Sequence, residues 1–109
     1  MNAANKNALS IMNNIIDDYL NGKYSREEAV DKLFFSVDLD VIYCPDSEFM
    51  VTDCYYTIKH LTEIGYETTD FELAYFRDCI NGVREYDLEE KMALIRTHHI
   101  TTEVERVTK

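Results

Sequence analysis

Along residues 8–21 the apolar side chains recur at three- and four-residue intervals. Leu9, Met12, Ile15, Ile16, Tyr19 and Leu20 fall on one side, and Ser10, Asn13, Asn14 and Asp17 on the other. That spacing predicts an amphipathic helix. A second helix is predicted over 26–37, with Ala29, Val30, Leu33, Phe34 and Val37 inward. Phe35 points away from that stripe, among Glu28, Asp31 and Lys32. A third spans 47–64 and turns Val51, Cys54, Tyr55, Ile58 and Leu61 to one face. The fourth, over 70–81, is apolar around more than half its circumference through Phe71, Leu73, Tyr75, Phe76, Cys79 and Ile80. Such a helix is expected at the centre, touching several neighbours. The fifth, over 88–98, points Leu88, Met92 and Ile95 inward.

The boundaries carry their own signals. Gly22, Gly65 and Gly82 each follow an apolar-periodic segment, where a left-handed residue ends a helix. Ser25-x-x-Glu28, Thr69-x-x-Glu72 and Asp87-x-x-Glu90 read as capping boxes, the last with Asp in place of Ser or Thr. Two junctions look alike: Leu20-Asn21-Gly22-Lys23-Tyr24-Ser25 and Ile80-Asn81-Gly82-Val83-Arg84-Glu85-Tyr86-Asp87. Each reads helix, Asn-Gly, then a Tyr just before a cap, and the repeat is too short to indicate duplication. Between the second and third helices, Val37, Leu39, Val41 and Tyr43 alternate with Ser36, Asp38, Asp40 and Ile42. Alternation is a strand period, but a lone strand has no partner, so an extended loop or a continued helix is expected around 37–43. The tail, about 100–109, is expected to be flexible.

The chain has 109 residues, the length of one domain, of which 46% are apolar and 29% charged. The expected fold is therefore all-α: one compact domain over 1–109 with about five helices. No apolar run approaches the ~18 residues of a membrane span. The N-terminus, MNAANKNALS, is polar and lacks a signal peptide's apolar stretch. Cys44, Cys54 and Cys79 are an odd number without a C-x-x-C pair, which suits a reduced, cytoplasmic setting better than a disulfide scaffold.

Charge changes the picture most. Against 21 acidic side chains stand 11 basic ones, a net charge of −10. A protein that grips nucleic acid or anionic lipid through a basic surface is excluded on that balance. From Asp38 to Asp78 there are ten acidic residues and two basic ones, so most of the negative charge sits mid-chain. On the third helix, opposite its apolar stripe, lie Phe49, Asp53, Tyr56, His60 and Glu63 at spacings of four, three, four and three. One reading is that this face packs under a neighbouring element. The other is a partner-binding face, in which aromatic rings give rigid contact area and carboxylates match a basic partner. The expected contact region is Asp46, Glu48, Phe49, Asp53, Tyr56, His60, Glu63, Glu67 and Asp70. The competing class is an oligomerising or regulatory helical module that buries Phe35, Phe49 and Tyr56 against a second copy.

Catalytic patterns are weak. Pro45-Asp46 with Glu89-x-Lys91 imitates a nuclease constellation, but residues two apart in a helical first turn face different ways. His98 and His99 adjoin and cannot point at one metal from a regular helix; His60 with Cys54 lacks ligand spacing. There is no glycine-rich phosphate loop. No catalytic residue, metal or cofactor is assigned, and the chain reads as a non-enzyme.

Two resemblances give these features a direction. Tyr19-Leu20-Asn21-Gly22-Lys23-Tyr24-Ser25-Arg26-Glu27-Glu28-Ala29 resembles the first helical hairpin of small bacterial immunity proteins of the colicin D type, within about residues 15–37. That resemblance implies an acidic protein that blocks the basic cleft of a nuclease toxin, and it carries over no contact residue. The short, acidic profile also resembles phage anti-CRISPR proteins, as a class and not by motif. It implies a DNA mimic covering the basic surface where a Cas9-type effector reads DNA, including the arginines that read the flanking motif. Both imply an inhibitor in the bacterial cytoplasm whose partner is a basic nucleic-acid-processing protein, a Cas effector or a nuclease toxin. Neither implies direct contact with nucleic acid or membrane.

Overall fold

The computed structural model of the protein describes residues 1–65 and 68–96. Tyr66, Glu67, His98, His99 and the tail at 100–109 lie outside the described residues, and so do the expectations that fall on them. Among the described residues every regular element is helical and no strand occurs.

Helix α1 is Ala3–Leu20, longer at its start than the periodicity predicts. Asn2 provides the reason: its side chain accepts the Asn5 N–H at 2.8 Å and nucleates the first turn five residues earlier. α2 is Arg26–Ser36, and its Ser25–Glu28 capping box is formed in both directions. α3 is Leu39–Ile42 and α4 is Phe49–Lys59. α5 is Asp70–Ile80, capped by the Thr69 hydroxyl on the Glu72 N–H. Residues 88–96 are helical and are called α6.

Two expected elements are corrected. The segment 37–43 is neither a strand nor a plain loop. Val37 is extended, and the Asp38 carboxylate then accepts the Asp40 N–H at 2.9 Å and starts the short α3. Val37 and Ile42 are therefore buried while Leu39 and Tyr43 face outward, which breaks the alternation the sequence presents. The helix expected over 47–64 ends as an α-helix at Lys59 and tightens into a 3₁₀ turn, His60–Thr62. Gly65, with a φ of 86°, lies just beyond it.

The two similar junctions are the same motif. After α1, the Gly22 N–H donates to the Tyr19 carbonyl at 3.0 Å and the Lys23 N–H to the Asp18 carbonyl at 2.8 Å. After α5, the Gly82 N–H donates to the Cys79 carbonyl at 3.2 Å and the Val83 N–H to the Asp78 carbonyl at 2.9 Å. This pairing is the Schellman motif, and it needs the φ of 80° and 77° that the two glycines supply. A side chain at either position would be strained in that backbone region.

The core gathers Met12 and Ile16 of α1, Leu33 of α2, Val51, Cys54 and Ile58 of α4, Leu61, and Leu73 and Phe76 of α5. α1 and α4 each touch the other four of α1 to α5, and α5, as predicted, touches several neighbours: α1, α4 and the start of α6. α1 also organises α4. Buried Asn5 accepts the Ser47 hydroxyl at 3.3 Å and the Glu48 N–H at 3.4 Å, where α4 lacks a side-chain cap of its own. Three inward assignments fail. Phe34 is 52% exposed, because it is turned about 100° from Leu33, onto the flank of the buried stripe of α2. On α6, Leu88 and Met92 are exposed, and the residue carried inward between them is Lys91.

Candidate functional site

The phase of α4 follows from its inner stripe. Val51, Cys54, Tyr55 and Ile58 are buried, so Phe49, Asp53, Tyr56 and His60 fall on the opposite side, as the spacing predicts. That outer stripe has two halves with different fates.

The half toward the helix start lies under the chain that leads into α6. The Asp53 carboxylate accepts the Lys91 ammonium at 2.6 Å and the Tyr86 hydroxyl at 2.6 Å, both on Oδ2. The side chains of Lys91 and Asp53 are only 6% and 16% exposed. Phe49 lies beside this cluster, its ring 6.4 Å from that of Tyr86, with its outer edge in solvent. Asp53, predicted as an exposed contact carboxylate, is thus committed to an internal ion pair. Charge reversal there cannot leave the fold intact, because it would oppose a buried ammonium to a second cation.

Local chemistry explains why a lysine points inward. The Asp87 carboxylate accepts the Glu89 and Glu90 N–H groups at 2.9 and 3.2 Å and so fixes the start of α6. The Tyr75 hydroxyl donates to the Asp87 carbonyl at 3.1 Å and accepts the Asp87 N–H at 3.0 Å, which clamps that start onto α5. One turn later Lys91 lies over Phe76, its Nζ 5.0 Å from the ring centroid, a cation–π distance. The Tyr86 ring also stacks on Phe76, with the centroids 6.0 Å apart.

The electrostatics suit a structural lock. Burial pushes the Tyr86 hydroxyl well above the ordinary tyrosine range, and its hydrogen bond to Asp53 adds to the shift, so it stays a donor. Burial also pushes the Cys54 thiol far up, which leaves it a packing group and not a nucleophile. Glu72 nearby is raised by burial, an effect that the Lys91 charge partly offsets. Lys91 is the lysine of the nuclease-like pattern, and its ammonium is held inside against Asp53, away from any phosphate. Among the described residues, no group of three or more His, Cys, Asp or Glu is placed to hold a metal ion.

The other half of the stripe reaches the surface. Tyr56 stands at right angles to Tyr55 and its hydroxyl lies 2.6 Å from that of Tyr43 on the far side of α3. The Tyr43 hydrogen bond, with burial second, raises the Tyr56 hydroxyl above its ordinary value. Glu63 is within 3.8 Å of Lys59 and 3.6 Å of His60. Asp70 is exposed in the first turn of α5, and Asp46 and Glu48 are exposed before α4. Glu67 lies outside the described residues.

The residues brought together most clearly are ones the sequence reading only half named. Within 38–49, the carboxylates Asp38, Asp40, Asp46 and Glu48 are exposed, and between them so are Leu39, Tyr43 and Phe49. No Lys or Arg occurs from 33 to 58. The two cations of the acidic stretch face other carboxylates, Lys59 on Glu63 and Arg77 on Asp17 at 3.5 Å. This α3–α4 corner is held in place by Asn5, by the Tyr43–Tyr56 contact and by the Thr52 hydroxyl on the Ile42 carbonyl at 3.4 Å. Asp38, Leu39, Asp40 and Tyr43 were missed because alternation hid the short helix. The signal that finds them is Asp38 immediately before Leu39, inside the cation-free segment, which is a helix cap and not a strand edge.

No family model matches the chain, and no curated protein and no solved structure matches it. No described helix is long and apolar enough to cross a membrane.

Proposed function

We propose that the protein is an acidic, non-enzymatic inhibitor that occupies the nucleic-acid-binding surface of a basic bacterial nuclease. In its first form it is an anti-CRISPR-type protein that acts in the host cytoplasm and blocks DNA binding by a Cas effector. One observation carries this reading: the α3–α4 corner presents four carboxylates interleaved with Leu39, Tyr43 and Phe49, with no cation in the segment. A nuclease holds its substrate in a groove lined with Lys and Arg, where a potential of several kT attracts any dense anion. Carboxylates on a fixed backbone compete for the positions of phosphates, and the rings beside them compete for the apolar contacts of bases. Glu63 and Asp70 extend the acidic surface at its far end, with Tyr56 and His60 between. Asp53 contributes through the fold only.

A second form, an immunity protein against a nuclease toxin, is favoured by the α1–α2 hairpin. The support for this form is the sequence resemblance of Tyr19–Ala29, the segment that forms the Gly22 turn and the Ser25–Glu28 box.

The test uses purified protein against a guide-loaded Cas9-type effector and, in parallel, a basic nuclease toxin, with DNA cleavage as the readout. Inhibition of the effector is expected, weaker at higher salt. It should weaken by about tenfold or more in the triple variant Asp40→Asn, Asp46→Asn, Glu48→Gln. Inhibition of the toxin alone replaces the first form by the second. Inhibition of neither, or inhibition that the triple variant retains in full, removes the corner as the binding site.

A further inference from the structure

α2 carries an outer face that no described residue covers. Its inner side is Ala29, Val30 and Leu33, all buried. At 100° per residue the opposite side is centred on Phe35, with Asp31 and Glu28 one and two turns back, Phe34 on one flank and Lys32 on the other. Phe35 is 88% exposed and Phe34 is 52% exposed. Two adjacent phenyl rings in water are unusual on a short helix of a small domain, and such a patch marks an interaction surface.

The charges around the rings identify the partner. α2 itself carries Arg26 and Lys32 against Glu27, Glu28 and Asp31, so it holds only one of the chain's ten net negative charges. A face that meets its own copy across a two-fold axis must be self-complementary, with both signs of charge on it. The α2 face meets that condition, since Lys32 stands beside Asp31 and Glu28. The α3–α4 corner does not, because it carries one sign only. A strongly acidic chain approaches its own copy most easily where the local charge nearly cancels, and α2 is where two adjacent exposed phenyl rings and charges of both signs share one helix.

We infer that α2 is the seam of a homodimer, the two helices antiparallel about a two-fold axis. The phenyl rings of both copies gather near the axis, and Lys32 of each copy faces carboxylates of the other. An 11-residue helix is about 16 Å long, so the buried area is at the small end for a specific interface. The dimer is accordingly weak and reversible, with a dissociation constant on the order of micromolar. The inference is independent of the inhibitor reading: the corner follows α2 in the chain but is not needed for the seam.

Salt separates the two surfaces. Screening relieves the repulsion between two copies of charge −10, so the dimer tightens as salt rises. A complex between the acidic corner and a basic partner loosens.

The experiment is sedimentation equilibrium of the full chain at low and high salt. A dimer that strengthens with salt is expected. Phe35→Glu should give a monomer, a weakening of roughly a hundredfold or more, with an unchanged thermal melt because the side chain is in solvent. Lys32→Glu should weaken the dimer by about tenfold. The triple variant at Asp40, Asp46 and Glu48 should remain dimeric. A monomer at about 1 mM chain, or a dimer that survives Phe35→Glu, overturns the inference.

Discussion

Asp53 and Asp46 are two carboxylates of one acidic stretch, seven residues apart, and the fold uses them in opposite ways. Asp53 is sealed under Tyr86 and Lys91 with both hydrogen bonds at 2.6 Å, and it holds α6 to α4. Asp46 and its neighbours at 38, 40 and 48 stand in water with no basic residue within the segment. In the first region charge is matched and removed from solvent, so it acts on stability. In the second it is unmatched and solvated, so it acts on what approaches. Net charge alone cannot distinguish the two, and only the second can serve as a mimic of phosphates.

The strongest way to break that contrast is to remove Lys91. Lys91→Ala leaves Asp53 buried without its cation and opens space beside Phe76. The expected loss is roughly 3–5 kcal/mol in urea unfolding, a large share of the stability of a domain this size. The control is Asp53→Leu combined with Lys91→Met, which replaces the pair by apolar groups and is expected to recover most of that loss. If Lys91→Ala costs no more than a surface substitution, the ion pair does not hold the helix and the contrast collapses.

The next effect is smaller. Tyr86→Phe removes one hydrogen bond to the Asp53 carboxylate but keeps the ring stacked on Phe76. A loss of about 1–2 kcal/mol is expected, since the acceptor is charged and partly buried. A double-mutant cycle with Lys91→Ala should show coupling, because both donors share the same oxygen.

The parts of this organisation that local chemistry determines were legible in the sequence. Ser25, Thr69 and Asp87 cap the helices that the sequence predicts, with the box closed in both directions at Ser25–Glu28, and Gly22, Gly65 and Gly82 take left-handed positions. Helix phase on α1 and α4 followed from periodicity for the same reason. What depends on contacts far apart in the chain was not legible. Nothing in the local sequence pairs Asp53 with Lys91, thirty-eight residues away. Lys91 interrupts the apolar phase of α6, and periodicity places a lysine outward by default, so Leu88 and Met92 were assigned the inward face instead. The candidate site was read on the right helix, yet the half of its stripe that α6 covers is no longer available to a partner. The corner beyond it depended on recognising Asp38 as a cap.

Glu72 tests the margin of the sealed region. Burial raises its carboxyl above the ordinary value of 4.5, and the Lys91 charge offsets only part of that. The folded state then binds a proton between pH 4.5 and the higher folded value, where the unfolded chain has released it. Stability therefore falls as pH rises through that window, and above it the ionised Glu72 opposes folding. Glu72→Gln should flatten the acid side of the stability–pH curve and raise the melting temperature slightly at pH 7. A variant that keeps the original slope would assign the slope to another group.

The smallest expected effect on stability belongs to the corner, and it sharpens the comparison from the other side. Asp40→Asn, Asp46→Asn and Glu48→Gln together remove three solvated charges of like sign that make no ion pair among the described residues. Solvent screens each of them, so the unfolding free energy should stay within about 0.5 kcal/mol of the parent. The sign should be slightly favourable, since like charges repel. Added salt supplies the check: the parent should gain stability as salt screens that repulsion, and the triple variant should gain less. A marked destabilisation would mean that these carboxylates are structural like Asp53. The difference between a sealed carboxylate that holds a helix and an open one that faces a partner would then disappear.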